Sequence, residues 1–171
     1  MNLLFVCTGN TCRSPLAEVI GKAEARARGV DNVLCASAGI FARIGQPAAA
    51  PGIDVAAAHG LDLVNHISQP LTQALLNWSD YLIGMDWPHI DRARHLQSDL
   101  PVFLLTHFLP DSHAQYGYGV PDPYGGDFDV YCETYSLLQV AIRGVFDMLS
   151  VEKELNVEGS LPPKPFSTED V

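Results

Sequence analysis

The chain has 171 residues, a formal net charge of −10 at pH 7 and four cysteines. This length fits one domain with a sizeable hydrophobic core. The acidic balance argues against nucleic acid or an anionic membrane surface as a partner. The cysteine spacing does not match a zinc site, and the chain is too large to need a disulfide framework. No stretch is apolar enough to span a membrane, and the short apolar start lacks a basic leader. We therefore expect a cytoplasmic protein.

The N-terminal segment is predicted to form a strand, a tight loop and a helix. The apolar run 3–6 indicates a buried strand, and it leads directly into the segment 7–14, CTGNTCRS. The alanine-rich stretch 16–28 favours a helix, with Ser14 expected as its N-cap and Pro15 as its first residue. Backbone N–H groups and the positive end of the helix dipole meet at such a junction. The loop is therefore predicted to bind an anion.

The residue types in this loop indicate phosphoryl transfer. Cys7 ends the strand, where the loop amides and the helix N-terminus stabilise a thiolate. Arg13 offers a planar fork for two phosphoryl oxygens. Gly9 permits a positive φ, and Asn10 is one of the few other residues that tolerate one. An inert buried cysteine beside an arginine cap is the alternative. The glycine, the Ser-Pro pair and the helix together favour a nucleophile.

The middle of the chain alternates between predicted strands and helices. Three more strands are predicted, over 33–37, 80–85 and 102–105. Helices are predicted over 47–60, 71–77 and 87–96, the first with an interruption at Pro51-Gly52. This alternation implies an α/β protein with a parallel sheet, whose active site lies at the carboxyl ends of the strands. The loop 39–45 is expected on the same rim as Cys7.

The C-terminal third is predicted to form a long loop, a long helix and a tail. The loop 110–126 is rich in Gly, Pro and Asp, and loops of that length are usually functional or mobile. A helix follows, with apolar residues at spacings of three and four that we expect in the core. These residues are Phe128, Tyr131, Cys132, Tyr135, Leu138, Ile142, Val145, Phe146 and Leu149. We predict a domain over 1–155 and an extended or disordered tail over 156–171.

Residues 7–18, CTGNTCRSPLAE, resemble the signature of the low-molecular-weight protein tyrosine phosphatases. The resemblance continues through Ser37-Ala38-Gly39, through 65–71 and through Asp122-Pro123-Tyr124, and it covers most of the chain. It implies a three-layer α/β sandwich with a central four-stranded parallel sheet and the phosphatase loop after the first strand. It also implies a cysteine-dependent phosphoprotein phosphatase that hydrolyses phosphotyrosine through a phosphocysteine intermediate. No metal or other cofactor is expected.

The resemblance also assigns roles to individual residues. From composition alone Asp122 would be a turn residue, whereas the family's Asp-Pro-Tyr motif makes it the general acid. Cys7 and Arg13 become the nucleophile and the phosphate clamp, and Ser14 a donor to the Cys7 sulfur. The remaining implied positions are the loop residues Thr8, Gly9, Asn10, Thr11 and Cys12, the loop-supporting Ser37 and His66, and the cleft aromatics Phe41 and Tyr124.

Alternatives remain at three points. Thr11 and the Gly125-Gly126 pair resemble bacterial relatives that dephosphorylate protein arginine, so phosphoarginine is a second substrate hypothesis. Arsenate reductase, a redox enzyme with this fold, would need two more cysteines in the middle of the chain, and the sequence has none between Cys35 and Cys132, which argues against it. Cys12 either captures an oxidised Cys7 as a disulfide or merely packs behind the loop. For both substrate hypotheses we expect the protein to be a monomer that acts on a phosphorylated protein or peptide.

Overall fold

The computed structural model describes the backbone of residues 1–157 and the side chains of residues 1–150. Four strands form one parallel sheet in the order β2-β1-β3-β4. They are β1 (Asn2–Cys7), β2 (Leu34–Gly39), β3 (Tyr81–Gly84) and β4 (Val102–Leu104). The α-helices are α1 (Arg13–Ala27), α2 (Ala50–Ala58), α3 (Gln73–Trp78), α4 (Trp87–Leu96) and α5 (Phe128–Val157). Two 3₁₀ helices, Leu105–Phe108 and Asp111–Tyr116, precede the last helix.

The sheet is the middle of three layers, as predicted. Residues 3–6 of β1 are completely buried, as the continuous apolar run of a central parallel strand requires. Because successive side chains of a strand point to opposite faces, Leu3 and Phe5 pack in one core with α1, α2 and α5. Leu4 and Val6 pack in a second core with α3 and α4. Each face of the sheet is thus covered by helices.

The strand order opens a crevice beside Cys7. The chain leaves β1 through α1 and pairs β2 on one side, whereas it leaves β3 through α4 and pairs β4 on the other side. In open α/β sheets, ligands bind where neighbouring connections diverge in this way, outside the carboxyl ends of the strands. Here that place lies between the ends of β1 and β3, and Cys7 is the last residue of β1.

Two predicted helix starts are corrected by the structure. The N-cap of α1 is Cys12, so Ser14 is the second helical residue rather than the cap, and its hydroxyl is used inside the loop instead. Helix α2 begins at Ala50, with Pro51 in its first turn. A proline is well tolerated there because the first N–H groups of a helix have no intrahelical partner. Pro51 therefore starts this helix and does not interrupt it.

The C-terminal third agrees with the sequence prediction except in detail. The long loop contains the 3₁₀ helix Asp111–Tyr116. Most of the predicted apolar face of α5 is buried, whereas Phe128 is 45% exposed because it is the first residue of the helix. Helix α5 is described as far as Val157, so it includes the first two residues of the tail predicted over 156–171. The rest of that tail lies outside the described residues.

Candidate active site

Cys7 lies buried at the floor of the loop that joins β1 to α1. Its Sγ accepts the backbone N–H of Asn10 at 3.2 Å and lies 3.0 Å from Ser14 Oγ. The Ser14 hydroxyl also lies 3.3 Å from the carbonyl of Ala38. Since a hydroxyl has one proton, the shorter contact to sulfur is the better use of it when Cys7 is a thiolate. The loop therefore holds two donors against the predicted nucleophile.

The strained position in this loop is Asn10 and not Gly9. Asn10 has φ of 55°, and Gly9 does not take a positive φ. Of the two residues that the sequence offers for a positive φ, the loop therefore uses Asn10 and not Gly9. A non-glycine residue in this region persists only where the surroundings compensate for its strain.

The side chain and carbonyl of Asn10 supply that compensation, because all of their bonding groups have partners. The amide nitrogen donates to Ser14 Oγ at 3.0 Å and to Ser37 Oγ at 2.9 Å. The amide oxygen accepts the backbone N–H of Gln69 at 2.9 Å. The backbone carbonyl accepts from His66 Nε2 at 2.8 Å. Ser37 and His66 thus lie where a loop-supporting role requires them.

Two further residues complete this network, and sequence reasoning gave them no role. Ser37 Oγ donates to Glu18 Oε2 at 2.6 Å, and Gln69 Nε2 donates to the carbonyl of Ser37 at 3.0 Å. Glu18 lies one helical turn after Ser14 on α1, so the two side chains share a helix face. That spacing was the available signal for Glu18. Gln69 could not be found in this way because it lies in a loop far along the chain from both Asn10 and Ser37.

Arg13 is buried and has donors directed to two partners. Its Nη1 donates to the carbonyl of Val120 at 3.1 Å, and its Nη2 donates to Asp122 Oδ2 at 2.8 Å. Its Nε is buried without a hydrogen-bond partner among the residues that the structure describes. Such an orphan donor is rare in a folded protein and needs a ligand or water to satisfy it. A phosphoryl oxygen is an acceptor of the required kind.

The segment that carries Asp122 is tied to the end of β3. The N–H of Val120 donates to the carbonyl of Met85 at 2.8 Å, and Gly119 pairs with Asp86 in an antiparallel bridge. These bonds bring a distant part of the chain to the crevice. The side chain of Asp122 is 48% exposed, so it is accessible to the leaving group of a bound substrate.

Exposed aromatic side chains stand at two places on the rim. Phe41 is 78% exposed, and its N–H donates to the carbonyl of Thr8 at 2.9 Å. Tyr124 is 81% exposed, and its N–H donates to Asp122 Oδ1 at 3.2 Å. One aromatic therefore adjoins the anion loop and the other adjoins the predicted acid, as expected for residues that contact an incoming substrate.

Thr11 and Cys12 occupy the second half of the loop. The carbonyl of Thr11 accepts the N–H of Ala49 at 2.8 Å, and its Oγ1 lies 3.6 Å from Cys12 Sγ. Cys12 Sγ also accepts from the hydroxyl of Tyr131 at 3.0 Å. Burial, followed by the bond to Cys12, raises the pKa of Tyr131 above its usual range, so the phenol stays a donor. All four cysteines are free.

A histidine that sequence reasoning missed lies on the other side of the loop. His89 is 2% exposed, and its Nε2 lies 3.0 Å from Thr8 Oγ1. Burial, and then the charge of Arg13, lower the pKa of His89 to about 4. The available signal was topological, since α4 starts directly after β3, the strand that adjoins β1 at the crevice.

Within the described part of the chain, no three or more His, Cys, Asp and Glu residues are grouped in a way that could hold a metal ion. No helix within residues 1–157 is long and apolar enough to cross a membrane.

Comparison with known proteins agrees with this geometry. Residues 2–157 match the family described as low molecular weight phosphotyrosine protein phosphatase. The protein-arginine-phosphatase of Bacillus subtilis (strain 168) is 34% identical over 155 residues, which are 90% of this chain and 99% of that protein. The low molecular weight protein-tyrosine-phosphatase Wzb of Salmonella typhi is also 34% identical over 155 residues, covering 88% and 95% respectively.

A solved structure of the YwlE arginine phosphatase, a mutant with a phosphorylated active-site serine, has a TM-score of 0.80 to this protein at 33% identity. The match covers 91% of this chain and 99% of that chain. The family match over nearly the whole described chain, with relatives of similar length, shows that this protein belongs to the low molecular weight phosphotyrosine protein phosphatase family of cysteine-dependent phosphatases.

Proposed function

We propose that Cys7, Arg13 and Asp122 perform the phosphatase reaction in two steps. In the first, the Cys7 thiolate attacks phosphorus, the bond to the leaving oxygen breaks, and Asp122 gives that oxygen its proton. In the second, Asp122 takes a proton from water, the water oxygen attacks phosphorus, and the bond to sulfur breaks. Phosphate leaves and the thiolate is restored. One observation carries this proposal: Arg13, which follows the loop around the buried Cys7 sulfur, donates from its guanidinium to the carboxylate of Asp122.

Arg13 has one set of partners in the structure and a different one in the proposed substrate complex. In the structure its Nη2 donates to Asp122, while its Nε has no hydrogen-bond partner within the described part of the chain. A dianionic phosphoryl group competes with the carboxylate for the guanidinium, since both are acceptors for a planar fork. Loss of the contact with the guanidinium releases the Asp122 carboxyl group to face the leaving oxygen. Substrate binding thereby prepares Asp122 for its first role.

The proposed substrate is phosphotyrosine in a protein or peptide. The exposed rings of Phe41 and Tyr124 stand on the rim, where they can pack against an aromatic leaving group. The family relationship supports the same substrate class, because Wzb is a protein-tyrosine-phosphatase.

We propose that the protein acts as a cytoplasmic monomer without nucleic acid or membrane partners. Its four free cysteines suit a reducing compartment.

Phosphoarginine is the second candidate, and Thr11 favours it. Its hydroxyl lies in the loop between Asn10 and Cys12, on a partly buried side chain. A hydroxyl can pair with a guanidinium nitrogen or with a water beside it, whereas an aliphatic residue suits an aromatic ring. The relative from Bacillus subtilis is named a protein-arginine-phosphatase. Parallel assays with phosphotyrosine and phosphoarginine peptides decide between the two substrates.

The two-step mechanism is tested with the change Cys7→Ser. The anion is held by backbone N–H groups and Arg13, so the variant should still bind phosphate or vanadate while turnover of an aryl phosphate is lost. The assay is run in the presence of a chelator. Release of phosphate by the variant at a substantial fraction of the parent rate would overturn the covalent mechanism.

A further inference from the structure

The contact between His89 and Thr8 joins a buried helix residue to the first residue of the anion loop. The two residues are 81 positions apart, and His89 Nε2 lies 3.0 Å from Thr8 Oγ1. The backbone around Thr8 is already held from the opposite side. The carbonyls of Cys7 and Thr8 accept the N–H groups of Ile40 at 3.0 Å and Phe41 at 2.9 Å. The hydrogen bond with His89 holds Thr8 from the side of β3.

The surroundings keep the imidazole neutral. His89 is 2% exposed, and the charged groups that act on it are Arg13, Asp86 and Asp122. Burial and the guanidinium disfavour a second proton, while the two carboxylates favour one. Burial is the largest of these effects, and it lowers the pKa of His89 to about 4. Near neutral pH the ring therefore carries a single proton.

The position of that single proton can be assigned from the contacts. Nδ1 of His89 is buried without a hydrogen-bond partner among residues 1–150, whereas Nε2 has Thr8 Oγ1. A proton on Nδ1 would leave a buried N–H with no acceptor, which is costly. A proton on Nε2 makes a hydrogen bond and leaves only a lone pair unpaired. The Nε2–H tautomer is therefore favoured, and the Thr8 hydroxyl oxygen is its acceptor.

We propose that His89 is a positioning residue of the phosphatase reaction, whose Nε2–H holds the Thr8 hydroxyl so that its proton is directed to a phosphoryl oxygen. Thr8 is exposed at the mouth of the loop, so its hydroxyl is accessible to a bound phosphoryl group. A hydroxyl that accepts from one side is left with its own proton for another partner. Because the ring of His89 is neutral, it orients the Thr8 hydroxyl without placing a second positive charge beside Arg13. This inference rests on the proposed role of the loop as the phosphate-binding site.

The tautomer is tested without turnover. In the nitrogen-15 NMR spectrum of the parent protein near neutral pH, Nε2 of His89 should show the shift of a protonated nitrogen and Nδ1 that of an unprotonated one. The reverse assignment, or a protonated ring at that pH, would overturn the proposal. Since this measurement needs no activity, a parent protein without phosphatase activity would contradict the proposed function and leave the tautomer result intact.

The positioning role is tested with a matched pair, His89→Gln and His89→Met. The two replacements have similar length, and only glutamine offers an N–H near the position of Nε2. Loss of one hydrogen bond predicts that His89→Met lowers kcat about 2- to 12-fold and weakens vanadate inhibition by the same factor. Inhibition by inorganic phosphate should change less than vanadate inhibition, because vanadate resembles the transition state. His89→Gln should recover at least half of the loss on a logarithmic scale.

Thr8→Val provides the double-mutant control, since valine has the shape of threonine without the hydroxyl. The combination of His89→Met with Thr8→Val should be little worse than the worse single variant, because both remove the same bond. Urea midpoints are compared first. Where a histidine variant is unstable, Thr8→Val alone takes its place and should weaken vanadate inhibition about 2- to 12-fold, through loss of the same hydrogen bond. Equal losses in the Gln and Met variants, or losses that multiply in the double variant, would show that His89 acts by packing alone.

Discussion

Arg13 and Asp122 are 109 positions apart in the chain, and Nη2 of the arginine lies 2.8 Å from Oδ2 of the aspartate. The same guanidinium donates to the carbonyl of Val120, two residues before the aspartate. Arg13 therefore holds both the side chain and the backbone of the segment that supplies the proposed acid. In the proposed mechanism, binding of phosphate and placement of the acid therefore depend on one residue.

This double duty predicts a large effect of Arg13→Lys, although the positive charge is kept. A lysine is a point charge and cannot reach Val120, Asp122 and a phosphoryl oxygen with one planar fork. We expect kcat/KM for an aryl phosphate to fall about 10²- to 10³-fold. Arg26→Lys, at an exposed position near the end of α1, is the matched control and should keep the parent value. A loss of only a few-fold in Arg13→Lys would contradict the proposed clamp.

The acid role of Asp122 predicts a dependence on the leaving group. Removal of a general acid typically costs roughly 10²- to 10⁴-fold, and more where the leaving group is a strong base. Asp122→Ala should therefore impair hydrolysis of phenyl phosphate more than that of nitrophenyl phosphate. The measurement is kcat/KM for both esters in parent and variant. Equal losses on the two esters would assign the proton to another residue.

Thr11→Ile tests the choice of substrate. If the hydroxyl pairs with a guanidinium nitrogen, its loss leaves a polar leaving group unpaired, at a cost of about 1–3 kcal/mol. The ratio of kcat/KM for phosphoarginine to that for phosphotyrosine peptides should then fall by roughly 5- to 150-fold. The ratio is informative because a general defect lowers both values. An unchanged ratio would remove the specific support for phosphoarginine.

Cys12 is predicted to protect the nucleophile against oxidation. It lies in the same short loop as Cys7, it is free, and a disulfide between the two would be reversible by thiols. After mild peroxide followed by thiol, the parent should recover more activity than Cys12→Ser. Cys35→Ser is the control, because Cys35 lies outside the loop and burial raises the pKa of its thiol to about 12. Equal recovery in Cys12→Ser and the parent would leave Cys12 with a packing role.

The lowered pKa of His89 predicts that this residue makes the folded protein less stable in acid. Its pKa is about 4 in the folded protein, below the value of 6.5 expected in the unfolded chain. Below pH 6.5 the unfolded chain therefore binds a proton that the folded protein does not, so stability falls between pH 6.5 and 4. The loss from this residue is roughly 3 kcal/mol. Urea unfolding of His89→Gln should be less sensitive to pH over that range, and a parallel dependence in both proteins would contradict the prediction.

The strand, the loop and the start of the helix around Cys7 could be predicted from the sequence alone. Their signals are local: a buried apolar run, a glycine-containing loop and a helix-forming stretch follow one another within a few turns of chain. The same holds for the parallel α/β arrangement, which follows from the alternation of strands and helices. Details that depend on a single residue were less secure, and Ser14 was misplaced as a cap because its hydroxyl is used by Cys7 and Asn10.

Only the tertiary structure shows which distant groups complete the site. Nothing local to Asp122 distinguishes a turn residue from an acid, and only the folded chain supplies the contact with Arg13 that supports the proposed acid role. Similarly, His89 looks like an ordinary helix residue until the pairing of β1 with β3 brings α4 beside Thr8. Side-chain partners across long separations depend on strand order and register, and these are set by the packing of the whole core rather than by neighbouring residues in the chain.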